Sequence, residues 1–109
     1  MRGEIEGQIA RFNARVQEDA KLRGELQGLE KTVLLDLKDG TKYHFVLKDS
    51  RIDGLRDGPT GNADITIIAD AATIRGLISR EIGPMKAYAT GRLRIKGDLE
   101  DLLRFRKFF

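Results

Sequence analysis

The N-terminal segment repeats apolar side chains every three or four positions, which predicts an amphipathic helix with one buried stripe. The stripe consists of Ile5, Ile9, Phe12 and Val16. Leu22 resumes the spacing one position out of register, and Gly24 and Gly28 weaken a continuous helix beyond it. We therefore predict a bend, or a second short helical turn, near Leu22.

From Thr32 the apolar side chains alternate with more polar ones, which is typical of strands with one buried face. The alternating apolar sets are Val33, Leu35 and Leu37, then Tyr43, Phe45 and Leu47, then Ile65, Ile67 and Ala69. Asp39-Gly40 between the first two sets favours a hairpin turn, and a weaker strand is predicted over 51–55. A fifth strand is predicted where Leu93 and Ile95 alternate with three cations, which gives it one apolar and one cationic face.

Three helices are predicted around that fifth strand. Asp70 is placed to cap a helix whose apolar side carries Ile74, Leu77 and Ile78. Pro84 suits the first turn of a short helix with Met85 and Tyr88 on one face, which Gly91 ends, and Asp98 begins the last helix. The expected fold is a single α+β domain over residues 1–109, with a five-stranded antiparallel sheet covered on one face by helices.

The composition limits what else the chain can be. Its 109 residues are 40% hydrophobic and 34% charged, which suits one folded domain. No apolar run approaches the roughly 20 residues of a membrane span and the start lacks a signal-peptide pattern, so we expect a cytoplasmic protein. Without cysteine there is no disulfide, thiolate metal site or cysteine nucleophile, and we predict neither cofactor nor metal.

Candidate catalytic residues are few. His44 is the single histidine, and the alternation places it on the solvent side of its strand. Ser79 lacks the Gly-x-Ser-x-Gly context, and the glycines at 54, 58 and 61 are not followed by a phosphate-binding Lys-Ser/Thr. We therefore predict no catalytic residue and a protein that is not an enzyme.

The strongest family signal is the C-terminal run Gly-Arg-Leu-Arg-Ile-Lys-Gly-Asp-Leu at 91–99. It follows a Pro-started short helix at 84–89, and further upstream stands Ala-Asp-Ile-Thr-Ile at 63–67 with Asp70 after it. In order and spacing these segments resemble the sterol carrier protein 2 domain family, from about Phe12 to Phe105. The resemblance implies a sheet covered by helices, with an apolar tunnel between the layers that takes sterols, fatty acyl chains or other lipids.

Two departures from the family pattern limit the resemblance. The C-terminus lacks the peroxisomal Ala-Lys-Leu type ending, so delivery to peroxisomes is not implied. Met85 stands where many relatives carry a glutamine that can face the ligand.

The resemblance makes lipid contact an alternative to plain core packing for the apolar positions. The predicted lipid-binding residues are Phe12, Val16, Leu35, Phe45, Leu47, Ile67, Ile74, Leu77, Ile78, Met85, Tyr88, Ile95, Leu102 and Phe105. The favoured function is non-catalytic binding and transfer or presentation of an acyl chain, sterol or isoprenoid. One alternative is an accessory subunit that presents a lipophilic intermediate to an enzyme, and another is a structural or interaction protein with a closed core.

Charge adds one further candidate partner. The net charge is +3, and residues 80–109 hold eight Lys and Arg against four Asp and Glu. Transient docking on an anionic membrane, with Phe105, Phe108 and Phe109 inserted, is one interpretation, and a solvated basic face with core-packed aromatics is the favoured one. Nucleic acid is not predicted as a partner, because no stacking aromatics alternate with the cations. The sequence leaves the lipid and the oligomeric state open.

Overall fold

The computed structural model describes residues 1–97 and residue 100, and its architecture is α+β as predicted. The helices are α1 (Arg2–Glu18), α2 (Ala20–Leu26), α3 (Ala71–Ile78) and α4 (Pro84–Ala89). The strands are β1 (Lys31–Leu37), β2 (Lys42–Lys48), β3 (Arg51–Ile52), β4 (Arg56–Asp57), β5 (Ile65–Ala69) and β6 (Leu93–Gly97). The predicted last helix, with Asp98 as its cap, lies outside the described residues.

The predicted interruption of the N-terminal helix is present, at a different residue. The chain turns at Asp19, which is extended (φ −114°, ψ 99°) and whose carboxylate accepts the backbone N–H of Leu22 at 3.1 Å. Asp19 therefore caps α2 in the way that short polar side chains cap helices, and Gly24 lies inside α2. The register shift of the apolar stripe comes from this cap and not from the glycines.

The sheet is mixed, with strand order β3-β2-β1-β5-β6 and β4 also paired to β2. The predicted β1–β2 hairpin is confirmed, with Gly40 at φ 94° in its turn, and β5–β6 is antiparallel as well. The central pair β1–β5 is parallel, which differs from the all-antiparallel expectation. After β2 the chain forms the short strands β3 and β4 at one side and then returns to the far side of β1, so β5 runs in the same direction as β1. The single weak strand predicted over 51–55 is instead two short strands separated by Gly54.

Strand register gives the sheet two unlike faces. The inner face carries apolar residues from all the longer strands. All four helices contribute to the same core cluster, together with Ile52 and Leu55. Among described residues the largest fully buried side chains include Leu26, Leu47 and Val33. The outer face carries the alternate, mostly polar and cationic residues, and it is described below.

Side chains of α1 fasten that helix to the short strands. The Asn13 amide donates to the carbonyl oxygen of Ile52 and accepts the N–H of Ile52, both at 2.8 Å. Arg2 donates to the carbonyl oxygen of Leu55 at 2.7 Å and pairs with Asp57. The exposed edge of β3 is thereby hydrogen-bonded by a side chain, which removes a site for unwanted strand pairing.

Within the described residues no helix combines the length and the apolar character that crossing a bilayer needs.

Candidate functional site

The inner face of the sheet carries a continuous apolar row. In this row Tyr43 of β2, Leu35 of β1, Ile67 of β5 and Ile95 of β6 lie side by side. Phe45 is in the next row, opposite Val33. Leu35 and Val33 are buried, whereas Tyr43, Phe45, Ile67 and Ile95 are only half-buried. The row therefore retains apolar surface on both sides of the buried centre of the sheet.

The predicted lipid-binding positions fall into three groups by burial. Six are half-buried and pack against the core cluster: Phe12, Phe45, Ile67, Leu77, Ile78 and Ile95. Four are buried members of the cluster: Val16, Leu35, Leu47 and Ile74. Met85 and Tyr88 are 59% and 57% exposed, and Leu102 and Phe105 lie outside the described residues. Contact of any of these with lipid stays a prediction.

Among the described residues, Tyr43 and Ile82 are two of the half-buried apolar residues that pack against the core but were not among the predicted positions. Tyr43 lies on the inner face two residues before Phe45, and Ile82 packs against the core from the segment between α3 and α4. The alternation of Tyr43 with Phe45 could have identified the first. Ile82 continues the four-residue spacing of Ile74 and Ile78, but the turn at Arg80 (φ 65°) ends α3 before this position, so helix periodicity alone could not place it.

Neither of two open grooves in the described part of the chain lies between the helices and the inner face. One, of about 480 Å³, is lined by Ala20, Arg23, Gly24, Gln27, Gly28, Asp49 and Ser50. The other, of about 220 Å³, is lined by Val46, Lys48, Arg51, Asp53, Gly54 and Arg56. The apolar tunnel implied by the resemblance stays a prediction.

The polar groups with identifiable roles are structural. His44 lies on the outer face as predicted, and its Nδ1 is 3.0 Å from the carbonyl oxygen of Gly58, to which a protonated Nδ1 donates. Asp70 caps α3 by accepting the N–H of Thr73 at 2.7 Å, and hydrogen bonds from Thr73 lower the pKa of the Asp70 carboxyl. The described residues contain no cluster of three His, Cys, Asp or Glu able to hold a metal ion.

The profile of the SCP-2 sterol transfer family matches residues 9–109. The chain belongs to this family. SCP-2 domains bind or transfer lipids, and in general they are lipid carriers without catalytic activity. Together with the fold, this membership confirms the resemblance read from the sequence.

Among curated proteins, stomatin-like protein 1 of Homo sapiens is 44% identical over 41 residues. That segment is 38% of this chain and 10% of the relative, so the SCP-2 chain matches about a tenth of the relative's length.

Three solved structures share the SCP-2 architecture. The UbiJ-SCP2 ubiquinone synthesis protein has a TM-score of 0.66 and 25% identity, over 95% of this chain and 84% of that one. The palmitated SCP2L2 from Aedes aegypti has a TM-score of 0.65 and 18% identity, over 92% and 88%. The sec-alkylsulfatase Pisa1 from Pseudomonas sp. has a TM-score of 0.62 and 20% identity, over 76% of this chain but only 13% of that enzyme. The fold thus occurs both as most of a chain and as a small part of a larger enzyme.

Proposed function

We propose that this SCP-2 chain holds the apolar part of a lipid non-covalently between the inner face of its sheet and its helices, and transfers or presents it. The observation that carries the proposal is the half-buried apolar row on the inner face, in a chain whose family members are in general lipid carriers. Such binding requires no bond making or breaking.

The half-buried residues are the best candidates for direct contact. Phe45, Ile67 and Ile95 from the sheet, with Phe12 and Ile78 from the helices, retain apolar area that side-chain packing has not removed from water. Covering such area with a hydrocarbon chain is favourable by about 25 cal/mol per Å². The buried residues Val16, Leu35, Leu47 and Ile74 then support the site from behind.

Helix α4 is the best candidate for an adaptable wall or gate. It exposes Met85 and Tyr88, and it is bounded by Gly83 and by Gly91 at φ 79°. An unbranched thioether adapts to varied apolar shapes, and a six-residue helix between glycines contributes few cooperative contacts. We expect hydrogen exchange in 80–91 to slow when a tight-binding lipid is added, and unchanged exchange would remove α4 from the site.

Acyl chains, sterols and isoprenoids are all compatible with an apolar wall of this kind. Such walls discriminate weakly, because one methylene changes binding by only about 1–3 kcal/mol. The palmitated Aedes aegypti structure supports an acyl chain, and the ubiquinone synthesis protein supports an isoprenoid. The family name alone does not favour a sterol over an acyl chain or an isoprenoid.

A second candidate function is presentation of a lipophilic intermediate to an enzyme. It is favoured by the likeness to the UbiJ-SCP2 ubiquinone synthesis protein over nearly the whole chain. The two functions differ in partner and not in the binding site. Release of bound lipid to acceptor vesicles by the purified protein alone supports free transfer, whereas release only on addition of an enzyme supports presentation.

Transient contact with an anionic membrane surface stays a prediction. Arg94 and Lys96 are exposed on β6, which supports it, while the aromatics Phe105, Phe108 and Phe109 lie outside the described residues.

Native mass spectrometry of the purified protein, followed by organic extraction, tests the proposed function. We expect an adduct that dissociates on collision and a lipid in the organic phase. We further expect that protein stripped of lipid takes up a palmitoyl or polyisoprenoid probe at a one-to-one ratio. A bare protein that binds neither probe after stripping would instead support the closed-core structural protein.

A further inference from the structure

The outer face of the sheet, opposite the proposed lipid site, is strongly cationic. Strand register puts six Lys and Arg there: Lys42, Lys48, Arg51, Arg56, Arg94 and Lys96. The one carboxylate that register places among them is Asp36, whose Oδ1 is 2.9 Å from Nζ of Lys42. With Asp53, which lies beside these cations although no strand register places it, the face carries four positive charges in excess, which is more than the +3 of the whole chain.

Three of these cations surround a groove at one end of the face. The groove of about 220 Å³ has Val46 among its lining residues, together with Lys48, Arg51 and Arg56 and the single acid Asp53. Its net charge is therefore +2. This volume is smaller than the roughly 300 Å³ at which drug-sized pockets begin, and it suits a small anionic group.

The groove cations have few protein partners. Among described residues neither Arg51 nor Arg56 has a carboxylate within 4.0 Å, and Lys48 only reaches that limit, toward Glu30. Arg51 and Arg56 come from different short strands, and each is exposed. The three cations outnumber the single acid of the groove, and like charges in such an excess favour a bound anion, because it relieves their mutual repulsion.

The backbone that carries the two arginines is held in place from the inner side. Ile52 and Leu55 are buried, and Asn13 bonds both backbone groups of Ile52. Gly54, at φ 145°, makes the bend between β3 and β4 in a region that side chains with a Cβ rarely adopt. The arginine backbones are therefore fixed before any ligand arrives, which lowers the ordering cost of binding.

We propose that this groove, hereafter the outer groove, binds a phosphomonoester dianion. Guanidinium groups match phosphate oxygens in pairs, and the +2 charge of the groove balances a doubly charged phosphate. The phosphate can belong to a soluble phosphomonoester or to the headgroup of a lipid such as phosphatidic acid. The outer groove and the lipid site lie on opposite faces, so either can fail without the other.

An NMR titration of ¹⁵N-labelled protein with inorganic phosphate, at constant ionic strength kept with chloride, tests the proposal. We expect saturable shifts at the amides of 51–56, with a Kd in the millimolar range because the arginines are exposed. The double variant Arg51→Gln/Arg56→Gln should weaken binding by about tenfold or more. The matched control Arg94→Gln/Lys96→Gln removes the same charge from the same face. It should change the affinity for phosphate by less than about twofold. Absence of saturable shifts, or equal loss in both variants, would overturn the proposal.

Vesicle flotation separates the two sources of phosphate. Phosphatidic acid offers a monoester and phosphatidylglycerol a diester, so vesicles are compared at matched surface charge. Selective loss of binding to phosphatidic acid in the Arg51/Arg56 variant identifies a lipid headgroup. If the Arg51/Arg56 variant keeps the wild-type preference between phosphatidic acid and phosphatidylglycerol vesicles, while free phosphate still titrates the wild-type groove, the ligand is a soluble phosphomonoester. Thermal unfolding of each variant checks that it is folded.

Discussion

The amide of Asn13 is the contact whose removal tests the packing of α1 most sharply. It forms two hydrogen bonds with Ile52, one as donor and one as acceptor, each at 2.8 Å across 39 residues of sequence. Asn13→Ala removes both hydrogen bonds. The N–H and C=O of Ile52, which are partly buried, then lose their Asn13 partners. No other described side chain is bonded to both backbone groups of one strand residue.

The expected cost follows from the two bonds. A protein hydrogen bond contributes about 0.5–1.5 kcal/mol net, so two give roughly 1–3 kcal/mol of lost unfolding free energy. At about 4–8 °C per kcal/mol for a domain of this size, Tm should fall by roughly 4–24 °C. The better helix propensity of alanine offsets only about half a kcal/mol of this.

Urea unfolding and amide hydrogen exchange measure the effect. Gln8→Ala is the matched control, because it removes an exposed amide side chain from the same helix. We expect the Ile52 amide to exchange faster in Asn13→Ala and not in the control. If the two variants are equally stable to within about 0.3 kcal/mol, the reasoning that Asn13 fastens α1 to the sheet is refuted.

Two further predictions concern packing and acid stability. Gly76→Ala should lower the unfolding free energy of the protein by about 1–3 kcal/mol relative to Gly24→Ala in urea unfolding, because both gain helix propensity but a Cβ at position 76 would lie 2.3 Å from Cδ1 and 2.7 Å from Cγ1 of Ile82. Gly24→Ala, whose Cβ meets nothing within 4 Å, should instead stabilise it, and the reverse order would contradict the packing of α3. The hydrogen bond from Arg75 lowers the pKa of Glu4, so its stabilisation is present above the ordinary glutamate pKa and is lost as the pH falls through the lowered value. Glu4→Gln should therefore lower Tm at neutral pH and match the wild-type Tm in acid, whereas a gap independent of pH would show that the carboxylate is not involved.

Features set by neighbouring residues were predictable from the sequence. Alternation identified the two faces of β1, β2 and β6, and the capping role of Asp70 and the first-turn place of Pro84 follow from local backbone chemistry. The parallel pairing of β1 with β5 was not predictable in this way, because it depends on where the chain goes after β2.

The apolar inner face and the outer groove were likewise only partly predictable from the sequence. Alternation placed Ile67 and Ile95 on the apolar face, yet periodicity cannot distinguish a side chain that fills a core from one that lines space for a ligand. The outer groove needed tertiary structure as well, since Arg51, Arg56 and Lys48 meet only because β3 and β4 both pair with β2. The cationic side predicted for the fifth strand, which carries Arg94 and Lys96, was the sequence signal for that face.

Ile67 and Ile68 allow the most direct test of the lipid site, since both are half-buried neighbours in β5 and face opposite sides of the sheet. Thermal unfolding first shows that the variants Ile67→Trp and Ile68→Trp are folded. The affinity of each for a fluorescent acyl probe is then measured by probe displacement. Ile95 lies beside Ile67 on the inner face, so Ile95→Phe is used as the inner variant if Ile67→Trp does not fold. If a lipid lies against the inner face, the inner variant should lose about tenfold or more in probe affinity, and Ile68→Trp less than about twofold. Wild-type affinity in a folded inner variant, or equal losses in both, would contradict a lipid site between the sheet and its helices.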